Sequence, residues 1–104
     1  MYILRDKNAV IYGAGGSIGG AVAKALSEAG ANVFLTGRNI SSVQKVADEI
    51  SKSGGIVEAD VVNGLDEIEV SRHIERVVKK ADTVDISFNA IGVAIVMNIP
   101  LVDI

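Results

Sequence analysis

The 104-residue sequence predicts an α/β domain built on a doubly wound parallel sheet. Three observations carry that expectation. Short apolar runs alternate with stretches whose apolar residues recur at helical spacing, the pattern of a parallel sheet with helical crossovers. Hydrophobic residues make up 49% of the chain but aromatics only 4%, so the apolar mass is Ala, Val and Ile, as strands buried on both faces require. The stretch VIYGAGGSIGG (residues 10–20) crowds glycines directly after the first apolar run.

The elements follow in order. Asn8–Tyr12 (NAVIY) is a short apolar run stopped by glycine, hence a buried strand. From Ser17, the residues Ile18, Val22, Leu26 and Ala29 recur at helical spacing, and Gly30 supplies the stop. Ala31–Gly37 is a second strand. Ser41 followed by Gln44 reads as a capping box for a helix with Val43, Val46, Ala47 and Ile50 on one face, ended by Ser53–Gly55. Ile56–Asp60 is a weaker third strand. A third helix runs from about Leu65 to Lys80 and buries Val70, Ile74, Val77 and Val78. Its early acids and late bases complement the helix dipole. Val84–Gly92 is a fourth strand.

Right-handed crossovers and a strand order of 3-2-1-4 put two helices on one face and the third on the other. Ligands of such sheets bind beyond the carboxyl ends of the strands, where the order reverses between strands one and four. The glycine turn and NAIG (Asn89, Ala90, Ile91, Gly92) both end there. Strand four is expected at the edge of the sheet, with Val, Ile and Phe side chains open on the face that carries only the third helix. The tail VAIVMNIPLVDI (residues 93–104) adds apolar surface with one charge, Asp103. Self-association through strand four, the tail or both is therefore expected. The alternative is a tail that folds back over the bare face.

Composition narrows the function. Formal net charge is −3 and the basic residues are scattered, so nothing marks a nucleic-acid or anionic-membrane partner. Without cysteine there is no disulfide framework, thiolate metal site or thiol nucleophile, and no metal is expected. No apolar run approaches the ~20 residues that span a bilayer, and charges inside the first apolar run exclude a signal peptide. A cytoplasmic location is expected.

The glycine turn has two chemical readings. Gly15, Gly16, Ser17, Ile18 and Gly19 contain G-x-S-x-G between a strand and a helix, the setting of a nucleophile elbow on Ser17. A serine hydrolase needs a histidine base. The only one is His73, which reads as a solvated mid-helix residue between charged neighbours. A phosphate cradle needs less: backbone N–H groups at a helix N-terminus, aided by its dipole. Gly13 then allows the tight exit from the strand, Gly15 and Gly16 close backbone approach, and Gly19 helix packing, while Ser17 caps the helix or donates to a phosphate. At the end of strand two, where an NAD site places an acid, stand Arg38 and Asn39. An arginine there pairs with a 2′-phosphate, which favours NADP over NAD.

With these residues in place the chain resembles the short-chain dehydrogenase/reductase family over nearly its whole length. Tyr12-Gly13-x-x-x-Ser17-Ile18-Gly19 is similar to the family's T-G-x-x-x-G-x-G turn, departing at Tyr12 and Ser17. Thr36–Asn39 (TGRN) resembles the NADP-preferring end of strand two. Asp60 and Val61 stand where the family embraces the adenine. Asn89, Ala90, Ile91 and Gly92 resemble N-N-A-G, whose asparagine steadies the sheet while the backbone beyond it lies along the cofactor ribose. The resemblance implies a Rossmann-like fold and hydride transfer between nicotinamide and a carbonyl or secondary alcohol.

The family's catalytic tyrosine and lysine are spaced Y-x-x-x-K. Four residues beyond Tyr2 and Tyr12 stand Asp6 and Gly16, so no residue is assigned to catalysis. Residues 1–104 are expected to form the N-terminal NAD(P)-binding half of such an enzyme, with the catalytic half absent. A non-catalytic nucleotide-binding or assembly module keeps the same cradle and stays open, as does, more remotely, the hydrolase on Ser17.

Overall fold

The computed structural model describes residues 3–91 and the backbone of 94–97. Its elements are β1 (Asn8–Tyr12), α1 (Ser17–Glu28), β2 (Asn32–Gly37), α2 (Ile40–Lys52), β3 (Val57–Val61), α3 (Glu67–Ala81), β4 (Ile86–Asn89) and β5 (Ala94–Met97). They form one sheet in the order β3-β2-β1-β4-β5. The first four strands are parallel, in the expected 3-2-1-4 arrangement, and β5 runs antiparallel to β4.

The pleat of β1 explains its unbroken apolar run. Ala9 and Ile11 point into a cluster with Val33, Leu35, Ala23 of α1, and Val43, Val46 and Ile50 of α2. Val10 and Tyr12 point the other way, against Phe34, Val62 and Val77 of α3. A strand covered on both faces cannot alternate apolar with polar. Helices α1 and α2 therefore share one face and α3 holds the other.

The edge of the sheet differs from the expectation. β4 is paired on both sides, by β1 and by β5, so it is not an edge strand. Nor does it expose apolar side chains toward α3. Ile86 and Phe88 are buried with the α1–α2 cluster, and the pleat turns Ser87 and Asn89 to the α3 side. The strand is also shorter than Val84–Gly92, because Asp85 is used to hold β1: its carboxylate accepts the Asn8 backbone N–H at 2.8 Å. Gly92, Val93 and residues 98–104 lie outside the described residues.

Three further details of the helices differ from the expectation. The N-cap of α2 is Asn39, whose Oδ1 accepts the N–H groups of Ser41 (2.9 Å) and Ser42 (3.4 Å). Ile40 is already helical, so no capping box starts at Ser41. The N-cap of α1 is Gly16, with no side-chain cap bond; Ser17 is the first helical residue and does not cap. On α3 the buried residues are His73 and Val77, while Val78 is 40% exposed. The stripe runs 70, 73, 74, 77, spacing that carries His73 inward and swings Val78 out. Asp66 caps α3 through Ile68 and Glu69. Among the described residues no helix is long and apolar enough to cross a membrane.

Candidate nucleotide-binding site

Parallel register lines up the carboxyl ends of four strands. Tyr12 stands beside Thr36 and Asn89, and Thr36 beside Asp60. One residue beyond this row stand Gly13, Gly37, Val61 and Ala90, where the strands end or have just ended. Every residue expected to bind the cofactor, Gly92 excepted, falls at this rim or on the first turn of the helix leaving it.

The turn after β1 is tied to β2. Thr36 O accepts the N–H groups of Gly13 (3.1 Å) and Ala14 (2.9 Å), and Gly13 O accepts that of Gly16 at 3.3 Å. Gly13 has φ +79°, a left-handed conformation that favours glycine. The first i→i−4 bond of α1 is Gly20 to Gly16, at 2.9 Å. The N–H groups of Ser17, Ile18 and Gly19 precede it and have no intrahelical acceptor of that kind. No acid stands in this first turn, so nothing there cancels the dipole's pull on an anion.

The other glycines do structural work. A Cβ on Gly19 would collide with the carbonyl of Gly13, so α1 lies on the turn itself. A Cβ on Gly15 would come within 2.7 Å of the Ser42 Cβ, and one on Gly37 within 2.6 Å of a Val43 methyl. These two positions let α2 close over the turn. On the outer surface, a groove of about 620 Å³ opens from the turn between α1 and α2. Lys24 and Glu49 face each other across it in an ion pair, and the hydrogen bond from Lys24 holds the Glu49 carboxyl below the usual range.

At the end of β2, Arg38 is exposed, and its guanidinium makes no ion pair with the described residues. Asn39 is committed to capping α2. At the end of β3, Asp60 Oδ1 accepts the Val61 N–H at 2.9 Å and Oδ2 pairs with Arg76 of α3 at 2.8 Å. Burial alone raises the Asp60 pKa, but the Arg76 hydrogen bond, the Val61 N–H and the charges of Arg76 and His73 bring it below the ordinary value. At the end of β4, Asn89 Oδ1 accepts the Ile91 N–H (2.9 Å), and the Ala90 N–H is bound by Tyr12 O (2.9 Å).

A family model described as Enoyl-(Acyl carrier protein) reductase matches residues 13–104. The chain belongs to the short-chain dehydrogenase/reductase family. An uncharacterized oxidoreductase of Staphylococcus saprophyticus is 36% identical over 93 residues, which cover 88% of this chain and 40% of that protein. A metagenomic short-chain oxidoreductase in complex with NADP superposes with a TM-score of 0.78 at 28% identity, over 82% of this chain and 38% of its own. A protein described as a D-mannonate oxidoreductase from Haemophilus influenza, with bound NAD, gives 0.76 at 32% identity, over 84% and 31%. The chain spans 28–40% of the length of the staphylococcal relatives it matches.

Two features of this short-chain dehydrogenase/reductase escape a reading of its sequence. Gly64, after β3, leaves no room for a side chain: a Cβ would meet Ile91 at 2.8 Å and Tyr12 at 3.1 Å. His73 is 3% exposed, not solvated. Its Nδ1 lies 3.3 Å from the Tyr12 hydroxyl, with the rings edge to face. Burial pushes the Tyr12 phenol up to about 12 and the His73 imidazole down. The signal was the helical stripe, on which position 73 falls between Val70 and Val77. His73 packs on the α3 face and Ser17 opens α1 on the opposite face, so His73 is not placed to act as a base for Ser17.

Proposed function

We propose that residues 1–104 are the nucleotide-binding, N-terminal half of an NADP(H)-dependent short-chain oxidoreductase. The observation that carries this reading is Arg38: an exposed guanidinium without an ion-pair partner among the described residues, at the end of β2, where an NAD site places a carboxylate. The residues present fit a dinucleotide. The amides of Ser17, Ile18 and Gly19 lie before the first helical bond, beside glycines 15 and 16, and would receive the pyrophosphate. Arg38 would take the 2′-phosphate, with Asn39 holding the start of α2 beside it. Asp60 and Val61 would hold the adenine, and the backbone of Asn89, Ala90, Ile91 and Gly92 would border the ribose. A metagenomic relative binds NADP and a Haemophilus relative binds NAD, which supports a nicotinamide dinucleotide here.

The nicotinamide, when bound, supplies or accepts hydride. In this reading the residues of this chain bind and orient the nucleotide, and none of them forms the Y-x-x-x-K pair. Self-association is proposed only for the outer side of β5, the terminal strand in the sheet order.

Arg38→Ala tests the reading by titration calorimetry. It is expected to cost about 1.5–3 kcal/mol in NADP binding, the range for hydrogen bonds between charged groups, and to leave NAD affinity unchanged. Equal weakening of both nucleotides would overturn the preference for NADP.

A further inference from the structure

Helix α3 reaches β3 by two ion pairs of matched spacing. Arg76 meets Asp60 at 2.8 Å, and one turn on, Lys80 meets Glu58 at 2.6 Å. The two bridges are chemically alike, and both are largely exposed. As stabilising contacts such exposed pairs contribute little. They differ in where they act: Glu58 lies within the strand, whereas Asp60 stands at the rim of the nucleotide site.

We propose that Arg76 is a positioning residue: it fixes the Asp60 carboxylate so that the site selects a purine bearing an exocyclic amino group. This rests on the nucleotide-binding reading above. The carboxylate is held from two sides, Oδ1 by the Val61 N–H and Oδ2 by Arg76. An ionised carboxylate has about four acceptor positions, so these bonds leave acceptor capacity on both oxygens while removing the freedom of the side chain. A 6-amino group donates to such an oxygen. A 6-oxo purine puts an acceptor against the negative charge and is disfavoured. Without Arg76 only the Val61 N–H holds Asp60, so the carboxylate gains freedom and the discrimination weakens, even though the charge remains.

The test compares binding of NADP and of its hypoxanthine analogue to the full chain and to four variants, by calorimetry. The unaltered chain is expected to prefer the 6-amino form. Arg76→Met is expected to reduce that preference about threefold, the size of a freed side-chain rotamer, with the circular dichroism spectrum unchanged. Arg76→Lys is expected to restore most of it. Lys80→Met breaks the sister bridge and is expected to leave the preference intact; an equal loss in both variants would mean that Arg76 is only structural and would overturn the proposal. Asp60→Asn separates the two readings. If it abolishes the preference while Arg76→Met does not alter it, the positioning role fails and the base contact stands. If Asp60→Asn leaves the preference unaltered, Asp60 does not touch the base and both fail. Absence of any nucleotide binding by the unaltered chain overturns both as well.

Discussion

At the scale of single residues, the glycine turn separates two uses of a missing side chain. Gly13 carries φ +79° and has Ile91 only 3.1 Å from where a Cβ would sit, so any substitution mixes backbone strain with loss of a ligand contact. Gly16 is extended, with φ −83° and ψ 170°, and its nearest Cβ neighbour would be the Gly13 carbonyl at an ordinary 3.6 Å. Gly16→Ala is therefore the cleaner probe. It is expected to cost under about 1 kcal/mol in stability, the scale of a poorer N-cap, and to weaken nucleotide binding about tenfold or more, equivalent to about 1.4 kcal/mol. Gly19→Ala should do the reverse of sparing the fold: its methyl meets the Gly13 carbonyl, and overpacking of that kind costs about 1–3 kcal/mol. Urea denaturation beside calorimetry checks both, and a Gly16→Ala protein with normal affinity would show that this turn is no cradle. The glycines were legible in the sequence as a turn. That Gly15 and Gly37 answer to Ser42 and Val43 was not, since both contacts depend on how α2 packs over the turn.

At the scale of elements, α3 is held by what its sequence hides. The caps, dipole charges and apolar stripe of the helix could all be read from residue types. His73 could not, because flanking charge signals exposure to a local reading whereas helical spacing sends position 73 to the sheet. The consequence is a pH dependence. Burial holds the folded imidazole below its ordinary value, near 6.5 in an unfolded chain. The unfolded chain thus binds the proton more readily, so the stability tied to neutral His73 is present above about pH 6.5 and lost as pH falls through the folded value. Asp60, also lowered, acts in the same sense in a separate window below about pH 4. Denaturation at pH 7.5 and 5.5 is expected to show a loss in the parent that His73→Gln largely removes. Identical slopes in the two proteins would contradict the burial of a neutral imidazole. The start of α2 gives the same lesson in reverse. The Ser41–Gln44 pattern is a sound local signal, but Asn39 caps the helix two residues earlier, through the amides of Ser41 and Ser42.

At the scale of the whole molecule, strand order and helix sidedness followed from the alternation of runs, whereas β5 did not. AIVM (residues 94–97) carries no turn signal that distinguishes an added strand from a covering segment. Because β5 pairs β4 from Ala94–Asn89 to Met97–Ile86, deleting residues 94–104 bares the backbone donors and acceptors of β4. Sedimentation at low micromolar concentration is expected to show larger species for the deletion than for the full chain; equal distributions would mean that β5 guards nothing. The central place of β1 also dictates an order of events in time. Its partner contacts on β2 lie 24 residues away and those at the start of β4 lie 77 residues away. Closing the longer loop costs about 1 kcal/mol more chain entropy, so β1 and β2 are expected to zip before β4 docks. Leu35→Ala on β2 should then slow refolding, whereas Phe88→Ala on β4 should chiefly hasten unfolding, as stopped-flow measurements of both arms would reveal. The opposite assignment would place β4 in the nucleus. With the expected order, the nascent chain passes through a stage in which the far side of β1 is an open, apolar seam, and the last parallel strand to arrive is the one that closes it.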